Sequence, residues 1–172
     1  MKIIDLTLQI HEGMSVYPGD PKVEIAQIQT LNKHGWNMKR IHINGHDGTH
    51  VNMPIHCVKN GKTLDDFKIE NFCGDCVLYN DDLDIQKDVG VIFKKQINMR
   101  IAELIVKIKP KFVGLSIEID EELEKYLLKH EIILFERLIN VDKLPSKFIF
   151  YGVPLKIKNG DGSPIRAFAI ID

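Results

Sequence analysis

Alternating apolar and polar positions predict a series of short strands along the chain. Near the N-terminus, residues 3–10 and 22–29 carry this alternation, and the prolines and glycine of residues 17–21 force a turn between them. We therefore expect a hairpin-like opening. Residues 39–46 alternate in the same way, which predicts a half-buried strand that ends on a histidine.

The second half of the chain combines helical and strand-like patterns. Residues 101–107 and 121–130 place apolar side chains at helical spacing, and strand-like apolar runs follow them at 112–119 and 131–136. This order is βαβ-like. Further strands are predicted at residues 72–79, 147–151 and 165–171, with a glycine-rich loop at residues 158–164. Many strands with few helices predict a mixed α/β or α+β fold in which the helices pack against sheets.

Composition and charge exclude several classes of protein. Hydrophobic residues make up 44% and charged residues 27% of the 172 residues, which is typical of one folded domain. Lys and Arg total 23 against 24 for Asp and Glu, so we expect no nucleic-acid partner. No apolar run approaches the roughly 20 residues that span a bilayer, so no membrane association is expected. The three cysteines fit a reduced, cytoplasmic protein.

Histidines are concentrated in one short segment of the sequence. Three of the seven histidines are His46, His50 and His56, among Gly, Asp, Asn and Pro residues. Neutral imidazole is a common ligand of zinc and similar ions, and Gly48 lets the backbone curl so that His46 and His50 converge on one ion. From the residues alone, a metal site and a chance cluster of loop histidines both stay open.

The segment from His46 to His56 has the sequence His-Asp-Gly-Thr-His-Val-Asn-Met-Pro-Ile-His. It resembles the signature His-x-Gly-Thr-His-x-Asp-x-Pro-x-His of the cyclase-like metal-dependent hydrolases, a family that includes bacterial kynurenine formamidases. Other segments that resemble this family lie at residues 5–7, 17–20, 61–65, 72–74, 127–138 and 160–167. The stretch at roughly residues 80–115 is shorter than is usual in the family, and part of the substrate-pocket loop is expected to be missing there.

The resemblance implies a metal centre. The implied ligands are His46, His50, Asn52, Glu124 and Glu136. Two of them differ from the family pattern, because Asn52 stands in place of an aspartate and Glu124 in place of a histidine. One carboxylate is lost and one is gained, so the charge of the site is roughly preserved. The implied cofactor is a divalent metal, zinc in the first place and manganese as the alternative.

The resemblance also implies a reaction, with His56 as the general acid/base. Metal-bound hydroxide would attack a carbonyl, and His56 would protonate the departing amine. The implied function is hydrolysis of the C–N bond of a small amide, with N-formylkynurenine as the leading named substrate. The implied fold is a swivelling β/β/α-type single domain over residues 1–172 that forms a homo-oligomer. The alternative is a catalytically weak or inactive relative that binds a small molecule or serves in assembly, for which Asn52 is the evidence.

Other residues have competing interpretations. Cys73 and Cys76 have CxxC spacing, but without a redox motif around them we expect packing. Cys57 follows a motif histidine and is also expected to pack, although a nucleophile is the alternative. Trp36 is expected in the core, with pocket lining as the alternative. His130 is expected to be a surface histidine.

Overall fold

The computed structural model describes residues 1–80 and 85–171. The strands are β1 (Lys2–Asp5), β2 (Glu24–Gln29), β3 (Met38–His42), β4 (His50–Asn52), β5 (Cys73–Leu78), β6 (Gly90–Phe93), β7 (Val113–Leu115), β8 (Leu134–Glu136), β9 (Lys147–Tyr151), β10 (Gly162–Pro164) and β11 (Phe168–Ile171). The helices are α1 (Leu31–His34), α2 (Met99–Ile108) and α3 (Glu121–Lys129). Within this described part, nine strands form one mixed sheet in the order β1-β11-β9-β5-β6-β7-β8-β4-β10, and β2 pairs with β3 separately.

The centre of the large sheet confirms the predicted βαβ order. Strands β5 to β8 run parallel, with α2 between β6 and β7 and α3 between β7 and β8. Asn98 caps α2 by accepting a hydrogen bond from the Ile101 N–H, and Asp120 caps α3 by accepting one from the Glu122 N–H. Strands β6, β7 and β8 are buried throughout, as apolar runs of parallel strands require.

Two apolar clusters hold the sheet in place. One contains the aromatic rings of Phe112, Phe135 and Phe150, whose centroids lie 5.0 to 5.3 Å apart. The other lies under α2 and α3 and includes Ile105 and Leu127, both fully buried. The end of β8, which carries Glu136, is therefore anchored by packed side chains.

The predicted hairpin-like opening is wrong. Strand β1 pairs with β11, from the other end of the chain, and β2 pairs with β3. The proline-rich residues 17–21 do turn the chain, with a hydrogen bond from the Asp20 N–H to the Tyr17 carbonyl. A turn shows where the chain reverses, but burial of apolar side chains decides which strands pair, and Ile4 of β1 is buried against the main core.

The predicted strand over residues 39–46 is shorter and more exposed than expected. Strand β3 ends at His42, and all five of its residues are exposed. Its Ile41 is 56% exposed because the β2–β3 pair lies outside the main sheet. The histidine at residue 46 is consequently carried by a turn and not by the end of a strand.

The predicted loop at residues 158–164 is only partly a loop. Its last three residues form β10, which pairs antiparallel with β4, and the following strand begins only at Phe168. Three residues are too few to show an alternating pattern in the sequence. The shortened stretch predicted at residues 80–115 includes residues 81–84, which lie outside the described residues. Among the described helices, none has the length and apolarity needed to cross a membrane.

Candidate metal centre and active site

The register of three strands brings distant site residues together. In the β4–β8 pair His50 lies opposite Glu136, and in the β4–β10 pair Asn52 lies opposite Gly162. Alternate residues of a strand face the same side, so His50 and Asn52 project together, with Glu136 beside them. The sheet thus joins the histidine segment to residues from the C-terminal half.

The turn that carries His46 is held by local contacts. The buried Asp47 carboxylate accepts a hydrogen bond from the Asn44 N–H at 2.7 Å, and Gly48 has a φ of 66°. On the other side, a Cβ on Gly162 would lie 2.5 Å from Cε1 of His46. The imidazole therefore packs directly on a glycine backbone of β10.

Thr49 fixes the histidine segment to two other parts of the chain. Its hydroxyl accepts a hydrogen bond from the Leu8 N–H at 2.9 Å and donates one to the Arg137 carbonyl at 2.7 Å. Thr49 is buried, so water competes little for these bonds. The segment between His46 and His50 is thereby held at the end of β8.

His50 and Glu136 form a buried pair. Nδ1 of His50 donates to the Gly48 carbonyl at 2.9 Å, and Nε2 lies 3.9 Å from Oε2 of Glu136. Burial lowers the pKa of His50 to about 4, and burial raises the pKa of Glu136 to about 8, helped by the charges of Glu124 and Glu118. Without a cation nearby, both groups are neutral at pH 7.

Asn52 lies between an imidazole and a carboxylate. Its Nδ2 donates to Oε1 of Glu124 at 2.9 Å, and its Oδ1 lies 2.7 Å from Nδ1 of His46. The amide NH₂ must face the carboxylate, because the reverse orientation would bring two acceptors together. Nδ1 of His46 is then the donor to Asn52, and both ends of the amide are engaged.

Asp161 is a site residue that the sequence analysis placed only in a loop. Its Oδ2 lies 3.0 Å from Nε2 of His46 and 3.7 Å from Nδ1 of His56. Burial acts to raise the pKa of Asp161, but the hydrogen bond and charge of His46 outweigh it and hold that pKa below its usual value. The signal for it was the resemblance of residues 160–167 to the family. What hid its role was the pairing of β10 with β4, which sequence does not reveal.

His46, His56 and Asp161 offer ligand atoms that all lie within 4.8 Å of one another. The rings of His46 and His56 are 3.9 Å apart, and both face the carboxylate. The short contact between Nε2 of His46 and Asp161 needs a proton or a metal ion between its two atoms. This cluster is a candidate metal site.

His56 follows at the end of the 3₁₀ turn Pro54–His56. Its side chain is 35% exposed, and Nε2 lies 3.9 Å from Oε1 of Glu124. Burial lowers the pKa of His56 and the charge of His46 adds to the effect, whereas Asp161 opposes it. A partly exposed imidazole is suited to exchange protons with a substrate or with water.

Six of the residues described above line one cavity of about 400 Å³, namely His46, His50, Asn52, His56, Glu124 and Glu136. The remaining lining residues are Tyr17, Asp20, Cys57, Glu118, Ile119, Glu121, Lys125 and Arg137. Across the mouth, the Tyr17 hydroxyl donates to Oε1 of Glu121 at 2.5 Å. A larger groove of about 540 Å³ lies along α2 and contains none of the histidines, so the chemistry belongs to the smaller cavity.

A family model described as putative cyclase matches residues 4–133, which include the whole histidine segment. The chain belongs to this putative cyclase family. The family inferred from the histidine signature is therefore confirmed.

Relatives of this chain match it over almost its full length. A kynurenine formamidase of Salinibacter ruber is 24% identical over 204 residues, covering 97% of this chain and 96% of its own. An uncharacterized protein of Methanocaldococcus jannaschii is 31% identical over 195 residues, covering 99% of this chain and 100% of its own.

Solved structures share the fold of this chain. One described as a potential metal-dependent hydrolase with cyclase activity has a TM-score of 0.79 at 25% identity and covers 98% of this chain and 96% of its own. Isatin hydrolase A from Ralstonia solanacearum, at 17% identity, has a TM-score of 0.82 and covers 99% of this chain and 92% of its own. The predicted mixed α/β fold with few helices is confirmed.

The two residues at which this chain departs from the family signature are in direct contact. Asn52 and Glu124 are hydrogen-bonded to each other at 2.9 Å. An aspartate at position 52 would place a second carboxylate against Glu124, whereas the amide donates to it. The two substitutions thus form a chemically matched pair.

The cysteines, Trp36 and His130 are not part of the candidate metal site. Cys73 and Cys76 lie three residues apart on β5, so they face opposite sides, and both are free thiols. Cys57 lines the cavity, but burial and then Glu124 raise the pKa of its thiol. Trp36 is 61% exposed, so the prediction that it packs in the core is wrong. His130 is exposed, as predicted.

Proposed function

We propose that this protein is a metal-dependent hydrolase that cleaves the C–N bond of a small amide. The names of its relatives, kynurenine formamidase and isatin hydrolase, support an amide substrate. N-formylkynurenine is the leading named candidate. The observation that carries the proposal is Oε1 of Glu136, a buried oxygen that has no hydrogen-bond partner in the described part of the chain.

That oxygen fits a cation. Leaving a buried acceptor unpaired is costly, and a divalent ion would be the missing partner of this oxygen. The free Nε2 of neutral His50 lies beside it as a second ligand atom. We propose that His46, His50, Glu124 and Glu136 hold the ion, with Asp161 as a further candidate ligand. Asn52 directs its amide oxygen to His46, so we propose that it orients this imidazole in place of binding the ion itself. A bound zinc ion, or manganese as the alternative, would polarise the amide carbonyl and activate water.

His56 supplies the proton transfer in this proposal. Its ring borders the cavity, and the carboxylates of Asp161 and Glu124 lie 3.7 Å and 3.9 Å from its two nitrogens. The charge of Asp161 favours the protonated ring, and the side chain stays 35% exposed to the cavity. In the protonated form His56 donates to the departing amine nitrogen, which would otherwise leave as an unstable anion.

We also propose a cytoplasmic homo-oligomer. Free thiols at all three cysteines suit a reducing compartment. The β2–β3 region exposes large apolar side chains, including Leu31 and Trp36, each 61% exposed, and such patches are commonly covered by a protein partner.

The metal content of the purified protein tests the proposal. We expect about one or two equivalents of zinc or manganese by elemental analysis, and loss of the metal in the double variant His46→Ala/His50→Ala. The matched control is His34→Ala/His130→Ala, which removes two exposed histidines and should keep the metal. A wild-type protein that stays empty after incubation with these ions would contradict the proposal.

A further inference from the structure

We propose that Arg137 forms an anion-binding subsite in the cavity, so that the amide substrate carries a carboxylate. This inference rests on the proposed function and names the class of substrate. Arg137 follows Glu136 directly, and its side chain lines the same cavity as the histidines.

The backbone of Arg137 is held in an unusual conformation. Its φ is 58°, in the left-handed region that glycine and asparagine adopt at lower free energy. The Thr49 hydroxyl donates to its carbonyl at 2.7 Å, which fixes Arg137 relative to His50. The backbone of Arg137 is therefore held beside the reacting groups, at a conformational cost that glycine or asparagine would reduce.

The guanidinium has unused donors. Nη1 donates to the Ser15 carbonyl at 3.1 Å, and no carboxylate of the described residues lies within 4.0 Å of the guanidinium. Lys125 is the other cationic side chain that lines the cavity, but it is not free, because its Nζ is paired with Oε2 of Glu121 at 3.0 Å. Arginine carries five N–H groups, so most of the Arg137 fork remains available to a ligand.

The chemistry of the cavity favours a carboxylate. A planar guanidinium fork matches carboxylate and phosphate oxygens. The acidic side chains of Asp20 and Glu118 also line the cavity, and they disfavour a phosphate, which carries more negative charge. A single carboxylate on a small amide fits both conditions and a cavity of about 400 Å³.

The test compares formanilide with 2- and 3-formamidobenzoate, which share the scissile bond and differ by a carboxylate. We expect Arg137→Asn, which suits the left-handed backbone, to raise the KM of at least one formamidobenzoate about 10- to 100-fold and to change that of formanilide less than about twofold. Arg137→Lys should lie between wild type and Arg137→Asn. The matched control Lys125→Gln should leave the ratio of the two KM values within about twofold. Equal losses on both substrates would mean that Arg137 only tethers Ser15, and would overturn the subsite.

A binding measurement separates this inference from the proposed function. We expect 2-aminobenzoate to bind the metal-free wild-type protein in ligand-observed NMR and not to bind the Arg137→Asn variant. Aniline, which lacks the carboxylate, should not bind the wild-type protein at the same concentration. If no formamide is hydrolysed but this Arg137-dependent binding is seen, the subsite stands and the proposed function fails. If formanilide is hydrolysed as efficiently as the formamidobenzoates and 2-aminobenzoate does not bind, the proposed function stands and the subsite is overturned.

Discussion

The two sides of the candidate site are built in different ways. The histidine side comes from one continuous segment, His46 to His56, held by short-range turns and by Thr49. The carboxylate side is assembled from Glu124 on α3, Glu136 on β8 and Asp161 before β10. The imidazole of His50 is buried in its neutral, ligand-ready form, whereas Glu136 is buried without a partner for Oε1. Burial therefore prepares His50 on the histidine side and leaves Glu136 on the carboxylate side dependent on a proton or a cation.

The largest expected effect is on the histidine side. His56→Ala should lower kcat about 100- to 10,000-fold on an amide substrate, because the departing amine loses its proton donor. Steady-state kinetics with metal analysis of the same sample checks this, and the metal content should be retained. His130→Ala, at an exposed histidine, is the control and should retain activity.

Two results would change the interpretation of His56. Unchanged binding of a substrate analogue with no turnover in wild type or variant would favour the small-molecule binding module over the enzyme. Loss of the metal in His56→Ala would make His56 a ligand together with His46 and Asp161, whose ligand atoms lie within 4.8 Å of it.

The next effect concerns the contact between the two sides. Asn52→Asp should lower the free energy of unfolding of the metal-free protein by about 1–3 kcal/mol, because a carboxylate replaces the amide that donates to Glu124. The swap Asn52→Asp/Glu124→Gln reverses the hydrogen bond at the same net charge and should recover most of the loss. Chemical denaturation with a chelator present measures both. A swap as unstable as Asn52→Asp alone would show that the two residues do not act as a pair.

The smallest effect is on the carboxylate side and depends on pH. The Glu136 carboxyl, with an ordinary pKa of 4.5, ionises in the unfolded chain but keeps its proton in the fold up to about pH 8. The folded state then binds more protons, so stability falls as pH rises through this window. His50 has the opposite effect on stability, because folding lowers its pKa from 6.5 to about 4. This effect is confined to the range below pH 6.5.

Between pH 6.5 and 8 the metal-free protein should therefore lose about 1–2 kcal/mol of stability. Thermal or chemical unfolding across this range measures the slope. Glu136→Gln should flatten it, and the exposed Glu122→Gln should not. A flat wild-type profile would mean that Glu136 is ionised in the fold even without a metal ion.

The same division explains what the sequence could predict. The three histidines could be found because their spacing is local, and the βαβ region because its apolar runs are long. Asp161 could not be found from spacing, since it reaches His46 only through the pairing of two three-residue strands. The exposure of Ile41 was missed because alternation in β3 indicates a strand but not whether anything covers it. The exposure of Trp36 was missed because aromatic residues usually pack in a core. Pairing partners at long sequence separation are what local patterns leave open.

The Thr49 hydroxyl has a consequence for how the protein folds. It hydrogen-bonds Leu8, which lies 41 positions away along the chain, and Arg137, which lies 88 positions away. Closing such long loops is slow compared with forming helices or local turns. During refolding, metal-binding capacity should therefore return after the secondary structure, and the rate of zinc uptake would report the last steps of assembly of the whole chain.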